Sequence, residues 1–296
     1  MNTRGLIRHP LSILLIAFAA FSLLLSACQP VNVSTSLPPV QPTATELPAQ
    51  PPTATRLPAD TPVALATQTP EQTNQPSSGA SGEISLDLSG VAQDQTVETV
   101  AAVPASTGGP YWEAAPQYRL VTLQGYPVTN HLLKPQIFIY PAGDLASANE
   151  NMGKIAADLR TLLQTQQAGD SFPFLPLYNA QQVMHPQVQY LDFKNGKGVR
   201  FLTQFDQAYM PINNYELIYT FQGLTSDGKY YIAAVLPVTH PELPDSQQVA
   251  AEQVPELKDF PAYLTKTVTW LDQQPGGSFN PDLAKLDALI QSIEVK

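Results

Sequence analysis

The stretch of sequence that determines the fold is Val188-Gln189-Tyr190-Leu191-Asp192-Phe193-Lys194-Asn195-Gly196-Lys197-Gly198-Val199-Arg200-Phe201-Leu202-Thr203-Gln204-Phe205. Apolar and polar residues alternate on both sides of its central Asn-Gly pair. Asn-Gly between two alternating runs is the strongest short signal for a β-hairpin, because both residues tolerate the positive φ angles of a tight turn. We therefore predict two antiparallel strands, Val188–Phe193 and Val199–Phe205.

A second hairpin is predicted immediately downstream, where Tyr215–Gly223 and Lys229–Leu236 flank the turn residues Ser226-Asp227-Gly228. A tight turn places alternate residues of both strands on one face of the sheet. The residues of that apolar face are Tyr215, Leu217, Tyr219, Phe221, Tyr230, Ile232, Ala234 and Leu236. The opposite face is mixed, with Glu216, Thr220 and Gln222 beside Ile218 and Val235. Together the hairpins predict an antiparallel meander of at least four strands.

Three further strands are predicted before the hairpins. Ile84, Leu86 and Leu88 alternate with polar residues, which is the pattern of a short half-buried strand. Tyr118–Gln124 and Gln136–Tyr140 are the other two candidates. These N-terminal strands extend the sheet that the hairpins begin.

A helix is predicted between the two groups of strands, from about Leu145 or Ser147 to Gln167. Its apolar residues recur every three or four positions, which forms one buried face. Ser147 and Glu150 have the spacing of a capping box, and Gly169 fits a C-terminal cap. Gly153 in the helix interior suggests close packing against a strand.

Two more helices are predicted at the C-terminal end of the chain. Asp259-Phe260-Pro261 begins one, and Asn280-Pro281-Asp282 supplies a cap, a first-turn proline and an acid for the other. The buried stripe of the last helix is Leu283, Leu286, Leu289, Ile290 and Ile293. Strands in a run with helices before and after them indicate an α+β fold, with amphipathic helices packed on an antiparallel sheet.

The N-terminus has the features of an export signal that ends at a lipidated cysteine. Arg4 and Arg8 precede an apolar run from Leu11 to Leu25, which is shorter than the roughly 20 residues of a membrane span. Leu25-Ser26-Ala27-Cys28 then resembles the lipobox of bacterial lipoproteins. By that resemblance, residues 1–27 are removed and Cys28, the only cysteine, carries acyl chains such as palmitate. The alternative is an uncleaved signal anchor with an unmodified cysteine.

Residues 28–81 are predicted to be a lipidated cysteine followed by a disordered linker. Pro, Thr, Ala, Gln and Ser dominate, and Pro-Thr-Ala-Thr recurs at 42–45 and 52–55. Closely spaced prolines disfavour helix, and the scarcity of large apolar residues leaves nothing to offset the entropy of ordering. Residues 82–296 are predicted to form a single globular domain, held at the extracytoplasmic face of the cell membrane. The outer membrane is the alternative if the cell has one.

Two resemblances concern the domain itself. A sheet meander, a proline-bounded loop and a terminal helix ending Leu289-Ile290-Gln291-Ser292-Ile293 look like PsbP-like and DcrB-like domains, which implies binding and accessory roles at membranes. Segments such as 189–193, 198–204 and 219–224 are similar to those of uncharacterised secreted lipoproteins from filamentous environmental bacteria. That second resemblance implies no activity and transfers no site residue.

Sequence motifs supply no catalytic or cofactor site. The chain lacks a Gly-x-Ser-x-Gly elbow, a P-loop and a dinucleotide fingerprint. His131, His185 and His240 have no ligand spacing within one element, so neither a metal nor another cofactor is predicted. A site joining these histidines to Glu242 is the alternative, and structural His-Pro turns are favoured over it.

Two other groups of residues leave alternatives open. Glu216, with Arg200 on an adjacent strand, is the best place for a hydrolytic carboxylate, although a buried salt bridge is favoured there. The aromatic residues Tyr111, Trp112, Tyr215, Tyr219, Tyr230 and Tyr231 could line a sugar or peptide groove, although packing in the core is favoured.

The net charge of the chain disfavours two kinds of binding partner. Loss of Arg4 and Arg8 leaves 13 basic against 25 acidic residues, a net charge of −12, which disfavours nucleic acid and adhesion of the domain to anionic lipid. The expected function is a lipid-anchored, non-enzymatic binding or accessory protein of the cell envelope with a protein or glycan partner. The alternatives are an envelope hydrolase acting on glycan or peptide, and a structural docking domain on a spacer.

Overall fold

The structure of this chain is a computed structural model that describes residues 83–167, 169, 171–246, 248 and 259–296. The predictions for the signal peptide, Cys28 and the linker lie outside the described residues. The domain that was predicted from residue 82 is described from Glu83 onwards.

The described residues contain eleven strands and four α-helices. The strands are β1 (Ile84–Ser85), β2 (Asp94–Val100), β3 (Tyr118–Gln124), β4 (Gln136–Pro141), β5 (Gln181–Gln182), β6 (Gln189–Phe193), β7 (Gly196–Thr203), β8 (Phe205–Asp206), β9 (Ile218–Thr225), β10 (Tyr230–Pro237) and β11 (Glu294–Val295). The helices are α1 (Leu145–Ala148), α2 (Glu150–Thr165), α3 (Phe260–Gln273) and α4 (Leu283–Gln291). A short 3₁₀ helix, Gly276–Ser278, lies between α3 and α4.

Seven of these strands form one antiparallel sheet in the order β2-β3-β4-β10-β9-β7-β6. Two meanders build it, β2-β3-β4 and β6-β7-β9-β10, and they join where β10 pairs with β4. The α1 and α2 helices connect the meanders along the chain. The predicted fold class, α+β with helices packed on an antiparallel sheet, is confirmed.

The first predicted hairpin is formed by β6 and β7. Phe193 pairs with Gly196, so Lys194 and Asn195 make a two-residue turn and β7 begins earlier than predicted. Further along β7, Gly198 lies opposite Gly223 of β9, and the ring of Phe221 covers both. A Cβ added at Gly198 would lie 2.4 Å from that ring, so the close packing requires glycine there.

The second predicted hairpin is formed by β9 and β10, with Tyr219 opposite Leu236 and Phe221 opposite Ala234. Their shared apolar face packs in the core as predicted, although Tyr215 and Leu217 precede the strand. The opposite face is mixed as predicted, since Thr220 and Gln222 lie beside Ile218 and Val235. Thr220 and Gln222 on that face are fully buried, because α2 and the segment after it cover the sheet there.

Hydrophobic cores lie on both faces of the sheet. On one face, α3 and α4 pack on Tyr219, Phe221 and Ile232. On the other face, α2 packs on Phe201, Tyr231 and other strand residues. The sheet is therefore the middle of three layers, and its central strands are buried on both sides.

The helix predicted from residue 145 to 167 is divided into α1 and α2. Asn149 interrupts it with an extended backbone, and its side chain caps α2 by accepting from the Asn151 amide. The predicted capping box at Ser147 is therefore wrong, and Ser147 Oγ donates to the Asp144 carbonyl instead. Gln166, in the left-handed region with φ of 54°, ends α2 in place of Gly169. Gly153 approaches Ala146 of α1, where a Cβ would lie 2.6 Å away, and not a strand.

The two C-terminal helices are confirmed. Asp259 caps α3 through the Ala262 amide, as the Asp-Phe-Pro sequence predicts. The predicted stripe of α4 is buried, with Leu289 only 1% exposed. The cap of α4 is Asp282, whose carboxylate accepts from the Ala284 amide, and not Asn280.

The N-terminal strands differ most from the prediction. Only Ile84–Ser85 of the alternating segment forms a strand, β1, and it pairs with β11 at the C-terminus. The first strand of the main sheet is β2, which was not predicted. Its residues are largely exposed, because it lies at the edge of the sheet.

Candidate functional site

The largest described cavity is a groove of about 740 Å³ between α2 and the segment 171–182. One wall is the face of α2 that carries Lys154, Asp158 and Thr161. The other wall is the segment itself, and Phe205 of β8 contributes at its base. We call this cavity the α2 groove. Its volume falls in the range of pockets that bind small molecules or short chains.

An aromatic cluster forms the apolar part of the α2 groove. The rings of Phe174 and Phe205 lie 4.4 Å apart between centroids, and Tyr178 meets Phe205 edge-on at 5.1 Å. Burial raises the pKa of Tyr178, so its hydroxyl stays protonated at neutral pH. Aromatic faces of this kind provide contact area at low conformational cost, and a tyrosine hydroxyl adds a polar contact.

A buried glutamine holds the aromatic segment against the sheet. Gln222 of β9 accepts from the Leu175 amide at 3.0 Å and donates to the Leu175 carbonyl at 3.1 Å. The same side chain accepts from the Tyr231 hydroxyl at 2.7 Å and donates to Thr220 Oγ1 at 2.8 Å. All four hydrogen bonds lie in the core, where each is costly to break.

A second glutamine closes the segment on itself. Gln182 accepts from the Phe172 amide at 2.8 Å and donates to the Phe172 carbonyl at 3.3 Å. Gln182 also pairs with Phe205 in the short ladder of β5 and β8. The side-chain amides of Gln182 and Gln222 thus hydrogen-bond the backbone of Phe172 and of Leu175. The groove wall is therefore preformed, although it has little regular secondary structure.

The charged residues at the rim of the α2 groove neutralise each other. Lys154 Nζ and Asp158 Oδ2 are 2.6 Å apart, and both side chains are more than half exposed. An exposed pair of this kind contributes little stability. The groove therefore offers a nearly neutral surface with amide and hydroxyl groups.

A separate polar cluster surrounds Asp206. Gln204 donates to Asp206 at 2.8 Å, and Asn213 donates to Glu216 at 2.8 Å. The amide oxygen of Gln204 accepts from the Asn213 backbone at 3.1 Å, which joins the two halves. The pKa of Asp206 is raised to about 6, mainly by burial; the hydrogen bond from Gln204 acts to lower it and the charge of Glu216 acts to raise it. Sequence reasoning named Glu216 but missed Asp206.

The salt bridge expected between Arg200 and Glu216 is not formed. Arg200 instead pairs with Asp287 of α4, with Nε 3.1 Å from Oδ1, and both side chains are largely buried. The Tyr219 hydroxyl donates to the same carboxylate oxygen at 2.9 Å. Burial raises the pKa of Asp287 although Arg200 and Tyr219 act to lower it. The cluster fastens α4 to the sheet, because Asp287 lies on α4 while Arg200 lies on β7 and Tyr219 on β9.

The three histidines lie in different places. Both ring nitrogens of His131 contact backbone carbonyls, and the ring of His185 packs on Phe172. His240 lies 3.0 Å from Ser278 Oγ through Nε2 and accepts from the Glu242 amide through Nδ1. Burial lowers the pKa of His131 and of His240. Within the described ranges, no group of three or more His, Cys, Asp or Glu could hold a metal ion.

The aromatic residues named from the sequence divide between core and surface. Tyr219 and Tyr231 are fully buried, so the favoured interpretation of core packing is confirmed for them. Tyr111 is 52% exposed and lines the α2 groove, with Trp112 packed edge-on against it. The aromatic residues that build the groove, Phe174, Tyr178 and Phe205, were missed. The run Phe172-Pro173-Phe174-Leu175-Pro176 was the available signal.

The exposed apolar residues and the helices of the described part of the chain can also be compared with the requirements of a binding or membrane-spanning surface. Large exposed apolar residues are distributed, with Val97 on β2 at one edge of the sheet and Val188 beside β6 at the other. No helix in the part of the chain that the structure describes is long and apolar enough to cross a membrane. Comparison with protein families, curated proteins and solved structures finds no match for this chain.

Proposed function

We propose that this chain is a lipid-anchored, extracytoplasmic binding or accessory protein of the cell envelope. The α2 groove is where it binds a glycan or peptide segment. The observation that carries the proposal is a preformed groove of about 740 Å³ whose aromatic wall is fixed by buried glutamines.

The chemistry of the groove favours binding over catalysis. Its charged rim residues, Lys154 and Asp158, are paired with each other and exposed to water. The carboxylates with raised pKa values, Asp206 and Asp287, are not among the groove-lining residues. Aromatic rings with nearby amides and hydroxyls suit sugar rings or apolar peptide side chains equally, because both present an apolar face beside hydrogen-bonding groups.

The groove is tested by blocking it. Ala180 lines the groove, so Ala180→Trp fills it, and Lys266→Trp on exposed α3 is the matched control. The probes are soluble peptidoglycan fragments and a library of short peptides. Saturable binding of either class by the wild type and the control, with loss in Ala180→Trp, supports the proposal and identifies the class. Equal binding by all three proteins contradicts it.

The anchor is tested separately at Cys28, the only cysteine of the chain. Cys28→Ser removes the thiol that is proposed to be acylated. We expect fatty-acid labelling of the protein to disappear and the signal to stay uncleaved, because the lipobox cysteine is the site of both steps. Persistent labelling of the variant would exclude lipidation at this residue.

A second candidate function is hydrolysis, and one observation favours it. Asp206, with its pKa raised to about 6, lies close enough to Glu216 for the two carboxylates to interact. A carboxyl group with a raised pKa beside a second carboxyl group is the pairing that glycoside hydrolysis uses. If the protein hydrolyses peptidoglycan fragments, Asp206→Asn and Glu216→Gln each abolish turnover, whereas Asp94→Asn at an exposed position of the edge strand β2 leaves it unchanged. Turnover that survives both changes rejects this candidate.

A further inference from the structure

A second cavity, of about 560 Å³, lies where the C-terminal turn of α2 meets the turn end of the sheet. The β6–β7 turn and the β9–β10 turn lie side by side there, because the Ser226 amide donates to the Asn195 carbonyl at 2.8 Å. This cavity shares no lining residue with the α2 groove. We call it the turn pocket.

Three cations line the turn pocket of a strongly acidic protein. They are Arg160 of α2, Lys194 of the β6–β7 turn and Lys197 of β7, with Asp192 as the single acid among the lining residues. Lys197 Nζ donates to the Leu163 carbonyl at 3.4 Å, which fixes its ammonium group at the wall. The whole chain has a net charge of −10, so this local excess of positive charge opposes the overall field.

The base of the turn pocket is apolar. Leu163, Phe193 and Leu224 line it, and each is less than a tenth exposed. Gly196 lies between them, and a Cβ there would be 2.2 Å from the Phe193 ring and 2.3 Å from the Leu224 carbonyl. A cationic rim above an apolar base suits an anion that carries carbon, such as a phosphate ester.

The turn pocket lies at the end of the domain where the N-terminal segment joins. The Lys296 amide donates to the Glu83 carbonyl at 2.9 Å, and the Lys194 amide donates to the Ile293 carbonyl at 3.2 Å. Asn195 also donates to the Val295 carbonyl. The first described residue and the pocket are therefore joined through the same C-terminal strand.

We propose that the turn pocket binds the phosphate group of a phosphate ester, with Arg160, Lys194 and Lys197 as its donors. Arginine and lysine are the residues that proteins use for phosphate, as bidentate and point-charge partners respectively. The ester is either the headgroup of an anionic lipid or a free small molecule. Binding of a lipid headgroup here would run against the expectation from net charge, which disfavours adhesion of the domain to anionic lipid.

The test uses the chain from residue 29 onwards, which retains every described residue and carries no acyl group. Its probes are glycerol 3-phosphate, followed by titration calorimetry, and phosphatidylcholine vesicles with about one fifth phosphatidylglycerol, followed by flotation. The variant is Arg160→Glu with Lys194→Glu. The charge-matched control is Lys134→Glu with Lys266→Glu, both exposed and outside the pocket.

We expect saturable binding of at least one probe that weakens with salt. The pocket variant should bind more than roughly 25-fold more weakly, since the loss of each of the two cations contributes about a fivefold effect and each new carboxylate adds repulsion. The control should change binding less than threefold, and so should Ala180→Trp in the α2 groove. Arg160→Gln with Lys194→Gln repeats the test without charge reversal, and circular dichroism verifies its fold.

Each outcome decides the proposal. Binding of glycerol 3-phosphate alone assigns the site to a free ester, and binding of vesicles alone assigns it to a lipid headgroup. Absence of binding to both probes overturns the proposal. An equal loss in the pocket variant and in the charge-matched control also overturns it, because the effect would then reflect net charge. Loss of groove ligands in Ala180→Trp bears only on the proposed function.

Discussion

Gln222→Leu should unfold the wall of the α2 groove. The substitution keeps the volume of the side chain but removes all four of its hydrogen bonds. The Leu175 amide and carbonyl then lose their partner in the core, and each buried group left unsatisfied costs about 1–3 kcal/mol. The Tyr231 hydroxyl also loses its acceptor, whereas Thr220 keeps its bond to the Ala234 carbonyl. Three groups left unsatisfied correspond to a total loss of about 3–9 kcal/mol.

Urea denaturation measures this loss, and hydrogen exchange localises it. A small domain is stable by only about 5–15 kcal/mol, so a loss of this size shifts the midpoint strongly. The Leu175 amide should exchange much faster in the variant than the amides of β9. Tyr231→Phe is the matched control, because it removes one of the four bonds and should cost about 1 kcal/mol. A loss below 1 kcal/mol for Gln222→Leu, with Leu175 still protected, would refute the role of Gln222.

Three further predictions concern the two cores and the buried carboxylates. Leu289→Ala should cost about 2–5 kcal/mol in urea denaturation, since Leu289 is buried where α4 packs on the sheet; a near-neutral result would contradict that packing. Asp287→Asn should cost about 3–5 kcal/mol, because it leaves the buried Arg200 charge unpaired, whereas Arg200→Met with Asp287→Leu should be far milder; equal losses would contradict the pairing. The folded-state pKa of Asp206 is about 6, above the usual 3.8, so its protonated form favours folding and this stability is lost as the pH rises from about 4 to 6. Between pH 4 and pH 7 the free energy of unfolding should fall by about 1–3 kcal/mol because of Asp206, and urea denaturation of Asp206→Asn should show most of this fall removed. An unchanged pH dependence in the variant would exclude Asp206 as the source of the fall.

The sequence was sufficient for features that local chemistry determines. Asn195-Gly196 between two alternating runs allowed the first hairpin to be located, although the turn itself is formed by Lys194 and Asn195, and Gly196 already belongs to β7. The three- and four-residue spacing of apolar residues in α4 and the N-cap of α3 at Asp259 were equally local signals. The shared apolar face of β9 and β10 followed from alternation alone, since a shift of one residue would move Tyr219 and Phe221 to the opposite face of the sheet.

Features that depend on distant partners could not be predicted. Arg200 and Asp287 are 87 positions apart, and nothing between them indicates the pairing. Gln222 has the polar side chain of a solvent-facing strand residue, and its burial could not be predicted because its partner Leu175 is 47 positions away in the sequence. The edge strand β2 was missed because its exposed residues carry little apolar alternation. Asn149 interrupts the predicted helix because its side chain is held by the Tyr111 and Ala114 carbonyls, which are remote in sequence.

The α2 groove depends both on a local sequence feature and on contacts between residues that are distant in the sequence. Its aromatic and proline residues stand together at 172–178, but the run has no helical or strand period. Its wall is instead fixed by Gln182 and Gln222, whose amides satisfy backbone groups that regular secondary structure would otherwise pair. The position of the groove therefore depends on tertiary contacts. The sequence showed only that aromatic and proline residues are concentrated at 172–178.

The pairing of β1 with β11 has a mechanical consequence. Any pull on the domain through residue 83 acts first on this two-residue ladder and on the bond from the Asp87 amide to Ser292. The ladder is separate from the seven-stranded sheet, so it can part while the pairing within that sheet remains. Its separation would still remove the packing of Ile84, Leu86 and Val295 on the core beneath α3 and α4. Tension on residue 83 would therefore expose part of one core before it separated the strands of the main sheet.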